Sequence, residues 1–119
     1  MKGDVAFVQG LYFLTTGFWP LVSIETFQRV TGPKVDLWLV KTVGVLVAVI
    51  GAALILAGMR GEVTSSVLLV AIGSAAALAG VDVIYVSKRV ISRIYLLDAL
   101  VELILMVWWV MDLAILQGS

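Results

Sequence analysis

Asp98 and Glu102 stand one helical turn apart within "YLLDALVELILMVWW", a stretch otherwise apolar enough to cross a membrane. Residues four apart share a helix face, so the two carboxyls point the same way. Such a pair can act as acid and base on a lipophilic substrate, or hold a proton or a cation. Lys41 and Asp82 interrupt two other apolar runs. Lys41 precedes Gly44 by three residues and Asp82 follows Ala79 by three, so each continues a stripe of small residues and is expected to face a neighbouring helix. In the last run Tyr95, Asp98, Glu102, Met106 and Trp109 form one face that Asp112 extends, and the first run places Gln9, Tyr12, Thr16 and Ser23 on a comparable stripe.

The charges of this set do not balance. Lys41 can pair with Asp98 or Asp82 as helix glue, or its stem can snorkel to the interface. One lysine cannot neutralise three acids. A carboxylate near the bilayer midplane costs on the order of 3 kcal/mol or more unless it is paired, hydrated or protonated. Either one acid carries a proton, or a cation or a water-filled cavity lies among them. Glu102, one turn deeper than Asp98, is the least easily explained. Asp112 falls near the far end of its run and reads as a solvated interfacial carboxylate.

These residues need a scaffold, and composition names its solvent. The chain has 119 residues, 62% hydrophobic and 13% charged, with a mean hydropathy of +1.15. A soluble domain of this size requires more polar surface. The formal net charge is zero, so no basic surface suggests nucleic acid. There is no Cys and no His, which removes thiolate chemistry, cysteine- or histidine-held metal and the usual haem ligand. No nucleotide loop or serine–histidine arrangement occurs, and the glycines of "TVGVLVAVIGAALILAG" follow no strand.

Apolar runs at about 5–24, 37–59, 64–86 and 93–116 each match a bilayer core at helical rise. The expected fold is an all-α polytopic membrane protein, a single up-down-up-down transmembrane four-helix bundle over residues 1–119. The start reads as a retained span rather than a cleavable signal. "ETFQRVTGPKVD" joins the first two spans, and its first part is amphipathic enough to lie at the interface. Arg29, Lys34, Lys88, Arg89 and Arg93 collect on one side, against Lys2 and Arg60 on the other. The positive-inside rule then puts loops 25–36 and 87–92 in the cytoplasm and both termini outside, in an inner-membrane multi-pass arrangement. Trp19 and Trp38 would mark the inner interface, and Trp108 and Trp109 the outer one. Gly44, Ala48 and Ala52 in span two, and Ala71, Ala75 and Ala79 in span three, form small-residue faces expected to pack those two spans together. Depth then brings Lys41, Asp82 and Asp98 to one level, roughly 10 Å from the midplane, with Glu102 close to the midplane.

"GLYFLTTGFWPL", followed by an amphipathic loop within a four-span layout, resembles small bacterial membrane proteins of the DoxX-like kind. The remainder, notably "VTGPKVDLWLVKTVG", resembles small four-span bacterial integral membrane proteins of unassigned function. The DoxX-like resemblance implies association with membrane redox complexes, although no redox ligand is present to carry that over. Small multidrug transporters share the length and span count but use a glutamate in the first span, where this chain has Gln9 and threonines. Sterol isomerase-like four-span proteins offer an analogy in acids facing a lipophilic cavity, with no matching motif.

The leading expectation is an intrabundle pocket for a lipophilic or small-molecule ligand, lined by Tyr12, Thr16, Lys41, Asp82, Asp98 and Glu102. The alternatives are a proton- or cation-coupled transporter acting as a homodimer, and a structural subunit of a membrane complex. The expected partners are membrane lipid, a small lipophilic ligand and a second copy of the chain, with no nucleic acid. No cofactor or metal is expected, and no residue is assigned a catalytic role.

Overall fold

A computed structural model describes residues 2–34 and 36–118, and the side chains of residues 4–34 and 36–114. Every regular element among them is a helix: α1 Lys2–Val22, α2 Ile24–Thr31, α3 Leu37–Arg60, α4 Ser65–Ser87 and α5 Tyr95–Gly118. Among the described residues, three stretches are long and apolar enough to cross a membrane: Asp4–Val22, Leu37–Arg60 and Ser65–Ser87. The 24 residues of α5 equal α3 in length, and Asp98, Glu102 and Asp112 set α5 apart in composition.

Local chemistry sets the boundaries. Pro20 lacks an N–H and sits in the last turn of α1, which stops after Val22. Ser23 then caps α2, its hydroxyl accepting from the Thr26 N–H at 3.4 Å. The corner is stitched by the Trp19 indole donating to Thr26 Oγ1 at 3.0 Å and by Trp19 meeting Phe27 edge-on. α2 is thus a distinct short helix where sequence reading saw an amphipathic loop. α3 ends on Gly61, whose φ of 66° suits a glycine. Thr64 caps α4 through the Val67 N–H. Arg89, just past α4, has a φ of 59° without being glycine.

The helices pack as two antiparallel pairs, α1 with α3 and α4 with α5, and α5 also lies against α1. Glycines set the first pair. A Cβ added to Gly17 would lie 2.6 Å from the Gly44 carbonyl oxygen, and one on Gly44 would lie 2.6 Å from the Gly17 carbonyl oxygen. Gly10 and Gly51 repeat the arrangement two turns away, at 2.6 and 2.7 Å. Backbone therefore meets backbone, which maximises dispersion where water supplies no driving force. This corrects one expectation: the small face of span two packs on span one, because α1 brings glycines of its own at matching spacing. α4 makes its main contact with α5 instead.

Polarity is inverted relative to a soluble protein. Gln9, Asp82 and Glu102 are buried, while Leu46, Val49, Leu69, Leu97, Leu103 and Ile104 are exposed. Apolar residues in the interior gather around Val5, Ala6, Leu54, Ala71 and Trp109. An outward apolar surface with inward polar groups is the arrangement lipid demands.

Gly17→Val should drive a side chain into the α3 backbone, costing about 3 kcal/mol or more and yielding little folded protein. Gly80→Ala meets open space and should melt at or slightly above wild type. Arg89→Gly should stabilise by about 1 kcal/mol by relieving the left-handed backbone. Thermal melts in detergent check all three.

Candidate functional site

The glycine seam turns one face of α1 toward α3 and leaves another for α4 and α5. Gln9 and Tyr12 lie on that second face. In α5 the buried residues Ala99, Glu102, Leu105, Trp109 and Asp112 recur at helical spacing and form the facing stripe. Asp82 enters from α4, where it is 5% exposed. The result is two polar layers separated by about two turns of α5.

The upper layer holds Tyr12, Asp82, Asp98 and Glu102. Tyr12 Oη donates to Asp98 Oδ1 at 2.5 Å. Asp98 lies against the carboxyls of both Asp82 and Glu102. Glu102 is 0% exposed, and neither of its oxygens has a hydrogen-bond partner among the described residues. One oxygen of Asp82 is in the same state. Two ionised carboxylates cannot hydrogen-bond each other, but two that share a proton can. Among the described residues, none of the three acids is in an ion pair, and no three acidic side chains converge as ligands for one metal ion.

Tyr95 and α2 close this layer from the loop end. Thr31 is buried, and its hydroxyl donates to the Phe27 carbonyl at 2.7 Å. The Lys34 ammonium donates to the carbonyls of Thr31 and Gly32 at 3.0 and 2.9 Å, and stands 5.1 Å from the centre of the Tyr95 ring. Partial burial pulls its pKa below the usual lysine value.

The lower layer is a satisfied chain. Trp109 Nε1 donates to Gln9 Oε1 at 2.7 Å, and Gln9 Nε2 donates to the Ala71 carbonyl at 2.8 Å. All of it is buried, and it ties α5 to α1 and α1 to α4.

Of the residues expected at the site, Tyr12, Asp82, Asp98 and Glu102 come together. Lys41 does not: it is exposed, because the face of α3 that packs is the one carrying Gly44, Ala48 and Gly51, and Lys41 falls beside it. Thr16 uses its hydroxyl within α1, donating to the Tyr12 carbonyl at 2.7 Å. Trp109 is a core residue rather than an interfacial one, since Gln9 supplies an interior acceptor for its N–H. Asp112 is buried, at 9% exposure, rather than solvated. Gln9 and Trp109 belong to the polar interior but not to the expected site, although the spacing puts Gln9 on the stripe of Tyr12 and Trp109 on the face of Asp98 and Glu102. Two concavities lie elsewhere, an open cleft at the α4–α5 loop and an apolar groove between α3 and α4.

No family model, curated protein or solved structure matches the chain.

Gln9→Leu should strand the Trp109 indole N–H in an apolar interior and cost about 1–3 kcal/mol. A lowered thermal midpoint with loss of the near-ultraviolet tryptophan signal would report it.

Proposed function

We propose that this chain is a four-span inner-membrane protein whose Tyr12–Asp82–Asp98–Glu102 cluster is a proton-coupling site of a small transporter. One observation carries the reading: Glu102 is fully enclosed, neither oxygen has a partner among the described residues, and two more acids adjoin it with no base in an ion pair. An ionised carboxylate so placed costs several kcal/mol. A proton shared along the carboxyls removes that cost and leaves a group able to release it. The tight enclosure favours a proton over a larger guest. Tyr12 holds Asp98 in register by its hydrogen bond, and Asp98 touches both other acids.

α5 serves as the fourth span in this reading. Leu97, Leu100, Ile104 and Val107 give it an apolar outward face, while its acids point inward. A transport pathway in four helices calls for a second copy of the chain. Two glycines of α4 suit that: a Cβ on Gly80 meets nothing within 4 Å, and one on Gly73 only Leu69 at 4.0 Å. The loops rich in arginine and lysine then face the cytoplasm.

A second reading, a site for a lipophilic ligand, draws on the groove of about 150 Å³ lined by Ala53, Leu54, Ser66, Val67 and Val70. None of the four carboxyl-layer residues lines it.

Asp98→Asn and Glu102→Gln separate these readings. Proton coupling predicts melting close to wild type, with proton flux into proteoliposomes under an imposed potential abolished. A large stability loss with no flux in wild type would assign the acids to helix glue. Intact folding, no flux and a co-purifying lipophilic molecule detected by mass spectrometry would favour the groove.

A further inference from the structure

The carboxyl layer leaves unused the opposite kind of charge at the loop end of the molecule. Between α4 and α5 the chain turns through "KRVISRI" and encloses an open cleft of about 480 Å³, lined by Val86, Ser87, Arg89, Ile91, Ser92 and Arg93. The turn is held by the N–H groups of Val90 and Ile91, which both donate to the Tyr85 carbonyl, at 2.9 and 3.4 Å. That fold-back puts Arg89 in its left-handed conformation.

Two of the other cations at this end are engaged, and Arg29 does not line the cleft. Lys34 donates to Thr31 and Gly32, and the Lys88 ammonium stands 5.8 Å from the Tyr85 ring centre. Arg89 and Arg93 are different: among the described residues neither guanidinium has a carboxylate in ion-pair range or a hydrogen-bond acceptor. The backbone N–H groups of Ser92 and Arg93 have no backbone acceptor among the described residues either. They precede α5, whose N-terminus adds positive potential. Two free guanidiniums, the Ser92 hydroxyl, which only accepts from the Ile94 N–H, and unpaired N–H groups around one cleft are a recognition set for a tetrahedral oxyanion, while the Ser87 hydroxyl is spent on the Val83 carbonyl.

The walls decide the source of that anion. Val86 and Ile91 line the cleft together with the arginines, and Val90 is exposed next to Ile91. The cleft opens where α4, a helix of membrane-spanning length, ends at Ser87. A free phosphate uses only the polar wall, whereas a phospholipid sets its phosphate on the arginines and its glycerol and upper acyl carbons on Val86 and Ile91. We propose that the α4–α5 cleft binds the phosphate of an anionic phospholipid, with Arg89 and Arg93 as its ligands. This site is separate from the carboxyl layer and does not depend on proton coupling.

The test titrates the purified full chain in detergent with phosphatidylglycerol, phosphatidylcholine or inorganic phosphate, and counts retained molecules by native mass spectrometry. Wild type should retain phosphatidylglycerol in preference to phosphatidylcholine. Arg93→Gln, and Arg89→Gly combined with it, should weaken that retention, the double variant by about tenfold or more. Arg60→Gln, on the α3 side of the α3–α4 turn, should leave it unchanged. Because Arg89→Gly relieves backbone strain, a variant that melts no lower than wild type yet loses lipid ties the loss to the guanidinium. Equal retention by the arginine variants and wild type would overturn the proposal. So would equal retention of phosphatidylcholine, or displacement of the lipid by inorganic phosphate at matched concentration.

Discussion

The contact between α1 and α3, where Gly10 meets Gly51 and Gly17 meets Gly44, fixes the rotation of α1 about its own axis. With backbone pressed on backbone, α1 cannot turn without driving the side chains beside those glycines into its neighbour. Gln9 and Tyr12, one residue before and two after Gly10, are therefore committed to the side where α4 and α5 lie. Both polar layers of the interior follow from that commitment. In lipid, where apolar surface drives no association between helices, such close approach is the main source of pairing energy. Four residues without side chains thus govern the positions of Gln9 and Tyr12 and, through them, of both polar layers.

The two layers illustrate opposite solutions to one problem. Around Gln9, donors and acceptors are matched: the indole N–H of Trp109 finds the amide oxygen, and the amide N–H finds a backbone carbonyl. Nothing remains to be bound, and the layer acts as a strut across three helices. Around Glu102 the acceptors outnumber the donors. Tyr12 supplies one hydroxyl hydrogen to Asp98, and Asp98 adjoins the carboxyls of Asp82 and Glu102, whose Oδ2 and two Oε atoms have no partner among the described residues. Such a surplus of acceptors in a poor solvent is tolerable only with added hydrogens or another positive charge. The contrast separates polarity that is fully satisfied from polarity that is not, within a single set of helices.

Much of this was legible in the sequence because helical spacing is strict. Asp98 and Glu102 at i and i+4, with Asp82 at the end of a small-residue stripe, announced a shared interior, and depth counted along antiparallel helices brought them level. Lys41 was misplaced because a stripe of small residues has two edges, and three residues from Gly44 is enough to reach the exposed one. Partner choice was misread for a related reason. Spans two and three both carry small faces, and spacing alone cannot say that span one would fill the first of them. Tryptophan at a span end reads as interfacial by default, yet Trp109 has an interior acceptor in Gln9, a pairing across 100 positions of chain that no local pattern encodes. The break at Ser23 was visible as amphipathic character, while its formation of a separate helix depends on the Ser23 cap and the Trp19–Thr26 bond.

The central claim is that Glu102 sits in a carboxyl layer that exchanges a proton with the medium from inside the bundle. Infrared difference spectroscopy of the protein in liposomes, switched between two pH values and separately between sodium-free and sodium-containing buffer, addresses it most directly. The account predicts a carboxyl signal that responds to the pH switch, does not respond to sodium, and disappears in Glu102→Gln. A spectrum in which no buried carboxyl responds to pH, or in which the response persists unchanged in Glu102→Gln, would contradict it.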